Sequence, residues 1–121
     1  MKTAVVIDDN RLAADSLCEM LRFLEIEAQV AYGSRDGMTV LKDLTPDIIF
    51  LDINMPGVDG FEVMAYLRRF PQLQHTPVVF VTSDDQPETA HRARKTGALL
   101  LLIKPASIES IESVLRKAGL L

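Results

Sequence analysis

Short apolar runs of about five residues, rich in Val, Ile and Leu, recur along the chain and end each time in polar residues or a helix breaker. Runs of that length are too short for ordinary helices and suit strands buried on both faces. They predict strands over residues 3–7 (Thr-Ala-Val-Val-Ile), 27–31 (Glu-Ala-Gln-Val-Ala), 47–51 (Asp-Ile-Ile-Phe-Leu), 78–82 (Val-Val-Phe-Val-Thr) and 99–103 (Leu-Leu-Leu-Leu-Ile), of which the second is the least apolar. Between them apolar residues fall three and four apart, at Leu17, Leu21 and Leu24, at Val40, Leu41 and Leu44, and at Phe61, Met64, Ala65 and Leu67. That spacing makes one face of a helix. A polar helical segment from Gln86 to Thr96 is closed by Gly97, and a last one follows Ser107 with Ile108, Ile111, Val114 and Leu115. Ser107 and Ser34 read as N-caps, and Pro46, Pro56, Pro71, Pro77 and Pro105 fall outside helix interiors. Strands alternating with helices predict a doubly wound α/β fold with a five-stranded parallel sheet covered on both faces.

In such sheets ligands bind beyond the carboxyl ends of the strands, beside the point where strand order reverses. The polar residues at those ends are Asp8 and Asp9, then Asp52, then Thr82, then Lys104 before Pro105. Taken singly, an aspartate after a strand is an ordinary turn residue, a threonine means little, and Lys-Pro is an extended dipeptide. Together they make three carboxylates, a hydroxyl and an amine at one edge. Carboxylates that close raise each other's pKa unless a cation neutralises them. Mg2+ fits best, since it takes carboxylate and carbonyl oxygens and commonly bridges them to a phosphoryl oxygen. Asp52 is then a candidate nucleophile toward phosphorus, with Lys104 and Thr82 holding charge on the transferring oxygens.

Composition narrows the classes. At 121 residues, 48% hydrophobic and 25% charged, the chain suits one domain over residues 1–121 with its own core. Its formal net charge is -4 and no basic patch stands out, so no nucleic-acid partner is expected. The single Cys18 cannot pair within the chain and reads as core among Leu17, Met20 and Leu21. The first apolar run is far too short for a signal peptide or a membrane span, so a cytoplasmic protein with no membrane partner is expected. His75 and His91 stand apart from the pocket motifs and read as surface histidines.

Val-Ile-Asp-Asp-Asn at 6–10, Leu-Asp-Ile-Asn-Met-Pro-Gly-Val-Asp-Gly at 51–60, Val-Thr-Ser at 81–83, Gly-Ala at 97–98 and Lys-Pro at 104–105 stand in an order and spacing that resemble the receiver domains of two-component response regulators. The resemblance runs from Lys2 to about Leu120. It implies a flavodoxin-like sheet of order 2-1-3-4-5 and a phosphoryl group passed to Asp52 from a histidine kinase or phosphotransfer protein. It also implies that Asp9 and Asp52 ligate Mg2+ directly, that Asp8 helps through water, and that Asn54 offers its backbone carbonyl. Thr82 and Lys104 would bind phosphoryl oxygens, while the small Ser83 leaves the approach to Asp52 open. Such a protein catalyses only its own phosphorylation and dephosphorylation and is not otherwise an enzyme. Pro56, Gly57 and Gly60 fit a tight loop leading from Asp52 into the third helix.

One place departs from the family. An aromatic residue usually stands three before the lysine and swings inward on phosphorylation, and here that place is Leu101, preceded by Leu99 and Leu100 where acidic residues are common. The fifth strand should be a sheet edge, with Leu102 and Ile103 packed under helices and Leu99 to Leu101 partly exposed. Exposed contiguous apolar surface marks an interface, so this face is expected to bind a downstream protein or a second copy. No output domain follows the last helix in the sequence, which also points to signalling by protein binding, although a piece of a longer regulator would read the same.

Other readings fare less well. A haloacid-dehalogenase-like phosphohydrolase resembles Asp-x-Asp after its first strand, where this chain has Asn10, and a dinucleotide site needs a glycine-rich turn that Asp8-Asp9-Asn10-Arg11-Leu12 lacks. The rival of another class is a receiver-shaped module that binds its partner independently of phosphorylation.

Overall fold

The structure is a computed structural model that describes residues 1–121. Along the chain lie β1 (Thr3–Ile7), α1 (Arg11–Phe23), β2 (Glu27–Ala31), α2 (Ser34–Asp43), β3 (Ile48–Asp52), α3 (Gly60–Leu67), a single 3-10 turn (Pro71–Leu73), β4 (Val78–Thr82), α4 (Pro87–Lys95), β5 (Leu100–Ile103) and α5 (Ile108–Lys117). All strands pair in parallel, in the order β2-β1-β3-β4-β5. The expected doubly wound fold is therefore present.

Alternation along the strands sends successive side chains to opposite faces. Ala4, Val6, Phe50, Val79 and Val81 pack under α1 and α5 with Leu17, Leu21, Ile111 and Leu115. Val5, Ile7, Leu51 and Phe80 pack on the other face with Leu41, Val63, Met64, Leu67 and Ala93 from α2, α3 and α4. Cys18 lies in the first cluster, 1% exposed, as expected of a small apolar residue. Each fully buried Val, Leu, Ile or Phe contributes about 1.5–3 kcal/mol before chain entropy is subtracted.

Helix ends follow local chemistry. The Asn10 side chain accepts from the Ala13 N–H at 3.0 Å, Asp59 and Glu62 form a capping box, and Ser107 is the cap expected of it and completes a second box with Ser110. Gly97 takes φ +82°, the left-handed conformation that stops α4. Ser34 is not a cap, however: Gly33, at φ +133°, holds that position, while Ser34 is buried inside the first turn of α2. On α3 the buried face is Val63, Met64 and Leu67, and Ala65 points outward.

Two strand boundaries shift. Asp47 lies just before β3, where its carboxylate accepts from the Thr3 N–H at 2.8 Å and its own N–H donates to the Thr3 carbonyl at 2.9 Å, and the strand runs on through Asp52, opposite Val81. β5 begins at Leu100 and is half-buried through Leu102, but Ile103 is 44% exposed rather than packed under a helix. Arg68, at the end of α3, braces the turn before β4 by donating to the carbonyls of Leu73 at 2.6 Å and Thr76 at 2.8 Å. No helix is long and apolar enough to cross a membrane.

Candidate functional site

Strand order reverses between β1 and β3, so the crevice at their carboxyl ends is where a ligand fits. Ile7 pairs with Leu51, so the next residues, Asp8 and Asp52, lie side by side. Asp52 pairs with Val81 and Thr82 with Ile103, which brings Thr82 and Lys104 to the same edge, where the Lys104 N–H donates to the Thr82 carbonyl at 2.8 Å. The Lys104–Pro105 peptide is cis.

Carboxylate oxygens of Asp8, Asp9 and Asp52 all lie within 4.8 Å of one another, with Asp8 and Asp52 buried and Asp9 exposed. This all-oxygen, anionic donor set is what a hard divalent cation such as Mg2+ takes. The Lys104 ammonium sits 2.8 Å from Asp8 and 3.7 Å from Asp52, so its tighter partner is Asp8. Asp8 also accepts from the Asn10 N–H at 2.9 Å, which fixes it at the head of α1. Burial above all, with the charges of Asp8 and Asp9 beside it and against the opposing charge of Lys104, pushes the Asp52 carboxyl up to about 7.

Parity divides the site. Asp8, Asp52 and Lys104 continue the alternation of Val6, Phe50 and Leu102, on the α1 and α5 face, whereas Thr82 continues that of Phe80, on the α3 and α4 face. Thr82 is fully buried, and its hydroxyl accepts from the Asp84 N–H at 3.1 Å and the Asn54 side-chain amide at 3.3 Å. Asn54 thus reaches Thr82 with its side chain. Ser83 is exposed at the mouth.

The loop from Asp52 to α3 turns at Gly57, φ +82°, as its glycine suggests. Gly60 serves another purpose. Its N–H donates to the Ile53 carbonyl at 2.7 Å, and a Cβ there would run into the Asp52 carbonyl and lie 2.8 Å from the Ile53 Cα. Close approach of α3 to the backbone at the end of β3 is what demands glycine.

Other features carry no sequence motif. The Thr89 hydroxyl donates to Asp84 at 2.6 Å, Arg92 lies 4.1 Å over the Phe61 ring, and Phe61 packs on Phe80 at 5.1 Å between centroids. Arg11 covers Tyr32 at 4.2 Å, and the Tyr32 hydroxyl donates to Asp15. His75 and His91 are exposed and outside the site, as expected.

A family model described as a response regulator receiver domain matches residues 4–116. The chain is 32% identical over 120 residues to the sensory transduction protein LytT of Bacillus subtilis, covering 97% of this chain and 48% of that protein. To the polar-differentiation response regulator DivK of Brucella anthropi it is 28% identical over 121 residues, covering 97% of this chain and 98% of DivK. The chain spans about half the length of several curated relatives that it matches. Among solved structures, the chemotaxis protein CheY4 of Vibrio cholerae superposes with a TM-score of 0.91 at 25% identity, over 98% of both chains.

Proposed function

The chain belongs to the response regulator receiver domain family, and from that membership we propose that Asp52 accepts a phosphoryl group and so switches a protein-binding surface. The donor is the phosphohistidine of a histidine kinase or phosphotransfer protein. The observation that carries this reading is a buried, charge-crowded carboxylate with an ammonium 3.7 Å away and two further carboxylates beside it. An Asp52 oxygen attacks phosphorus as the bond to the imidazole nitrogen breaks, and the imidazole leaves. Lys104 and the Thr82 hydroxyl donate to phosphoryl oxygens, and Ser83 keeps the approach clear. Mg2+, held by Asp9, Asp52 and the Asn54 carbonyl with Asp8 helping through water, would neutralise the acid cluster and offset charge on the transferring group. The direct test is Mg2+-dependent addition of one phosphoryl group per chain from acetyl phosphate, read by intact mass; no addition with Mg2+ present would refute the assignment.

Lys104 reads the phosphoryl charge at β5. Lys104→Ala is expected to leave some phosphorylation while blunting the conformational change that follows, read as backbone amide shifts on adding beryllofluoride, a phosphoryl mimic. Wild-type shifts in the variant would count against this role.

The output surface is the face made by α4, β5 and α5. There a groove of about 360 Å3 is lined by Ala90, Ala93, Leu99, Leu100 and Leu101, with Arg94 and Lys117 also on its wall. An apolar edge strand of this kind needs cover by a partner or by a second copy. The double substitution Leu100→Asp, Leu101→Asp is expected to weaken that association by at least about tenfold, which is about 1.4 kcal/mol of contact energy. Sedimentation and partner titration with and without beryllofluoride read the change. If the folded variant behaves as wild type in both states, the leucines only cover the core; partner binding that ignores beryllofluoride in wild type would instead favour a phosphorylation-independent module.

A further inference from the structure

In this chain the residue three before Lys104 is Leu101, half-buried against the α2, α3 and α4 face, with neither a ring nor a hydroxyl to follow Thr82. What does touch Thr82 is the β4–α4 loop. The Asp84 N–H donates to its hydroxyl at 3.1 Å, and the Asp84 carboxylate is itself gripped by the Thr89 hydroxyl at 2.6 Å and the Gln86 N–H at 2.9 Å. Thr89 belongs to the first turns of α4. Arg92, three residues on and so on the same side of the helix, lies over Phe61, which packs on Phe80 of β4. Another side of α4 presents Ala90, Ala93 and Arg94 to the leucine groove of β5. One short helix therefore touches the phosphoryl-sensing threonine through Asp84 and the output groove through its alanines.

We propose that α4 itself carries the signal in place of a switch aromatic: the Thr89–Asp84 clasp, tied to Thr82 through the Asp84 amide, holds α4 in its resting position, and withdrawal of the Thr82 hydroxyl toward a phosphoryl oxygen on Asp52 releases it. The physical driver is local. When the hydroxyl moves, the part-buried Asp84 N–H loses its acceptor, which favours a rearranged loop in which that N–H is paired again. The loop carries Asp84, Asp84 carries Thr89, and the groove changes shape as α4 shifts. This inference rests on the phosphoacceptor reading of Asp52.

A clasp present in only one of two states biases the equilibrium toward that state, and by linkage its removal tightens whatever binds the other state. A purely structural hydrogen bond would alter stability without altering ligand affinity. The experiment is a titration of beryllofluoride with saturating Mg2+ against wild type, Thr89→Val and Thr89→Ser, with amide exchange followed from Asp84 to Ala90. Thr89→Val is expected to bind on the order of five-fold more tightly, the low end of typical coupling factors, whereas Thr89→Ser, which keeps the hydroxyl, stays at the wild-type value. The Asp84 amide should exchange faster in free Thr89→Val and in beryllofluoride-bound wild type than in free wild type. Equal affinities for wild type and a folded Thr89→Val, or for Thr89→Ala should the valine variant not fold, overturn the clasp. So does an Asp84 amide whose protection beryllofluoride leaves unchanged. Failure of wild type to bind beryllofluoride at all is a different result, which removes the phosphoacceptor reading and this inference with it.

Discussion

Asp52→Asn is expected to reduce Mg2+-dependent labelling by acetyl phosphate, or by a phosphorylated kinase, to background. The amide matches the carboxylate in shape but carries no charge, so it is neither an adequate nucleophile toward phosphorus nor an anionic ligand for a cation. The same change is expected to stabilise the fold. Asp52 is 4% exposed, and burial and its acidic neighbours already disfavour its charged form, so a neutral side chain removes a repulsion without opening a cavity. Above pH 7 the variant should melt a few degrees higher than wild type in the absence of divalent cation, since about 1 kcal/mol shifts the midpoint of a domain this size by several degrees. Labelling at the wild-type level with Mg2+ present would show that the acceptor has been misassigned.

The second large effect is in pH. Asp52 is raised from an ordinary value of 3.8 to about 7, so between those values the folded protein holds a proton that the unfolded chain has released. Stability rises with pH only where the unfolded state binds more protons, and here it binds fewer. The contribution of Asp52 without metal is therefore fully present below about 4, is lost as pH rises to about 7, and is constant above. Other carboxylates titrate over the same range, so the measurement is the difference in melting temperature between Asp52→Asn and wild type. That difference should widen in favour of the variant from about pH 4 to pH 7 and then level off. Mg2+ must displace the same proton, so its apparent affinity for wild type should fall about tenfold for each pH unit below about 7. An affinity independent of pH between 5 and 7 would mean that Asp52 is already ionised there and that its surroundings do not oppose its charge.

Among the candidate site residues, Asp8, Asp9, Asp52, Thr82 and Lys104 were legible because they stand at or just past the end of an apolar run, where a strand must stop, whereas Asn54 came only from the receiver-like motif. Periodicity and polarity are local properties, and a run such as Asp47 to Leu51 followed by Asp52 announces both the strand and the carboxylate at its tip. The same locality explains the order of elements, the cap at Ser107 and the stop at Gly97, all set within a few residues of themselves. Receiver-like motifs added the strand order, which no single run encodes.

What the sequence could not supply depended on pairing between distant segments. Ser34 looks like a cap by type, but it is buried inside the first turn of α2 and Gly33 stands at the helix entrance. Asp47 looks like part of a strand, but the strand begins at Ile48 and the Asp47 carboxylate instead accepts from the Thr3 N–H, 44 residues away. Gly60 reads as a turn glycine, whereas the packing of α3 against the backbone of Asp52 and Ile53 is what excludes a side chain there. Among the pocket residues, only the register of β4 against β3 and β5 decides that Lys104 meets Asp8 and Asp52 on one face while Thr82 looks toward α4 on the other. The Asp84–Thr89 and Arg92–Phe61 contacts likewise depend on how α4 is rotated about its own axis. A chain's local pattern determines which residues alternate and where elements end; which of them touch is decided by strand register and helix rotation, and those are settled only when the whole core packs.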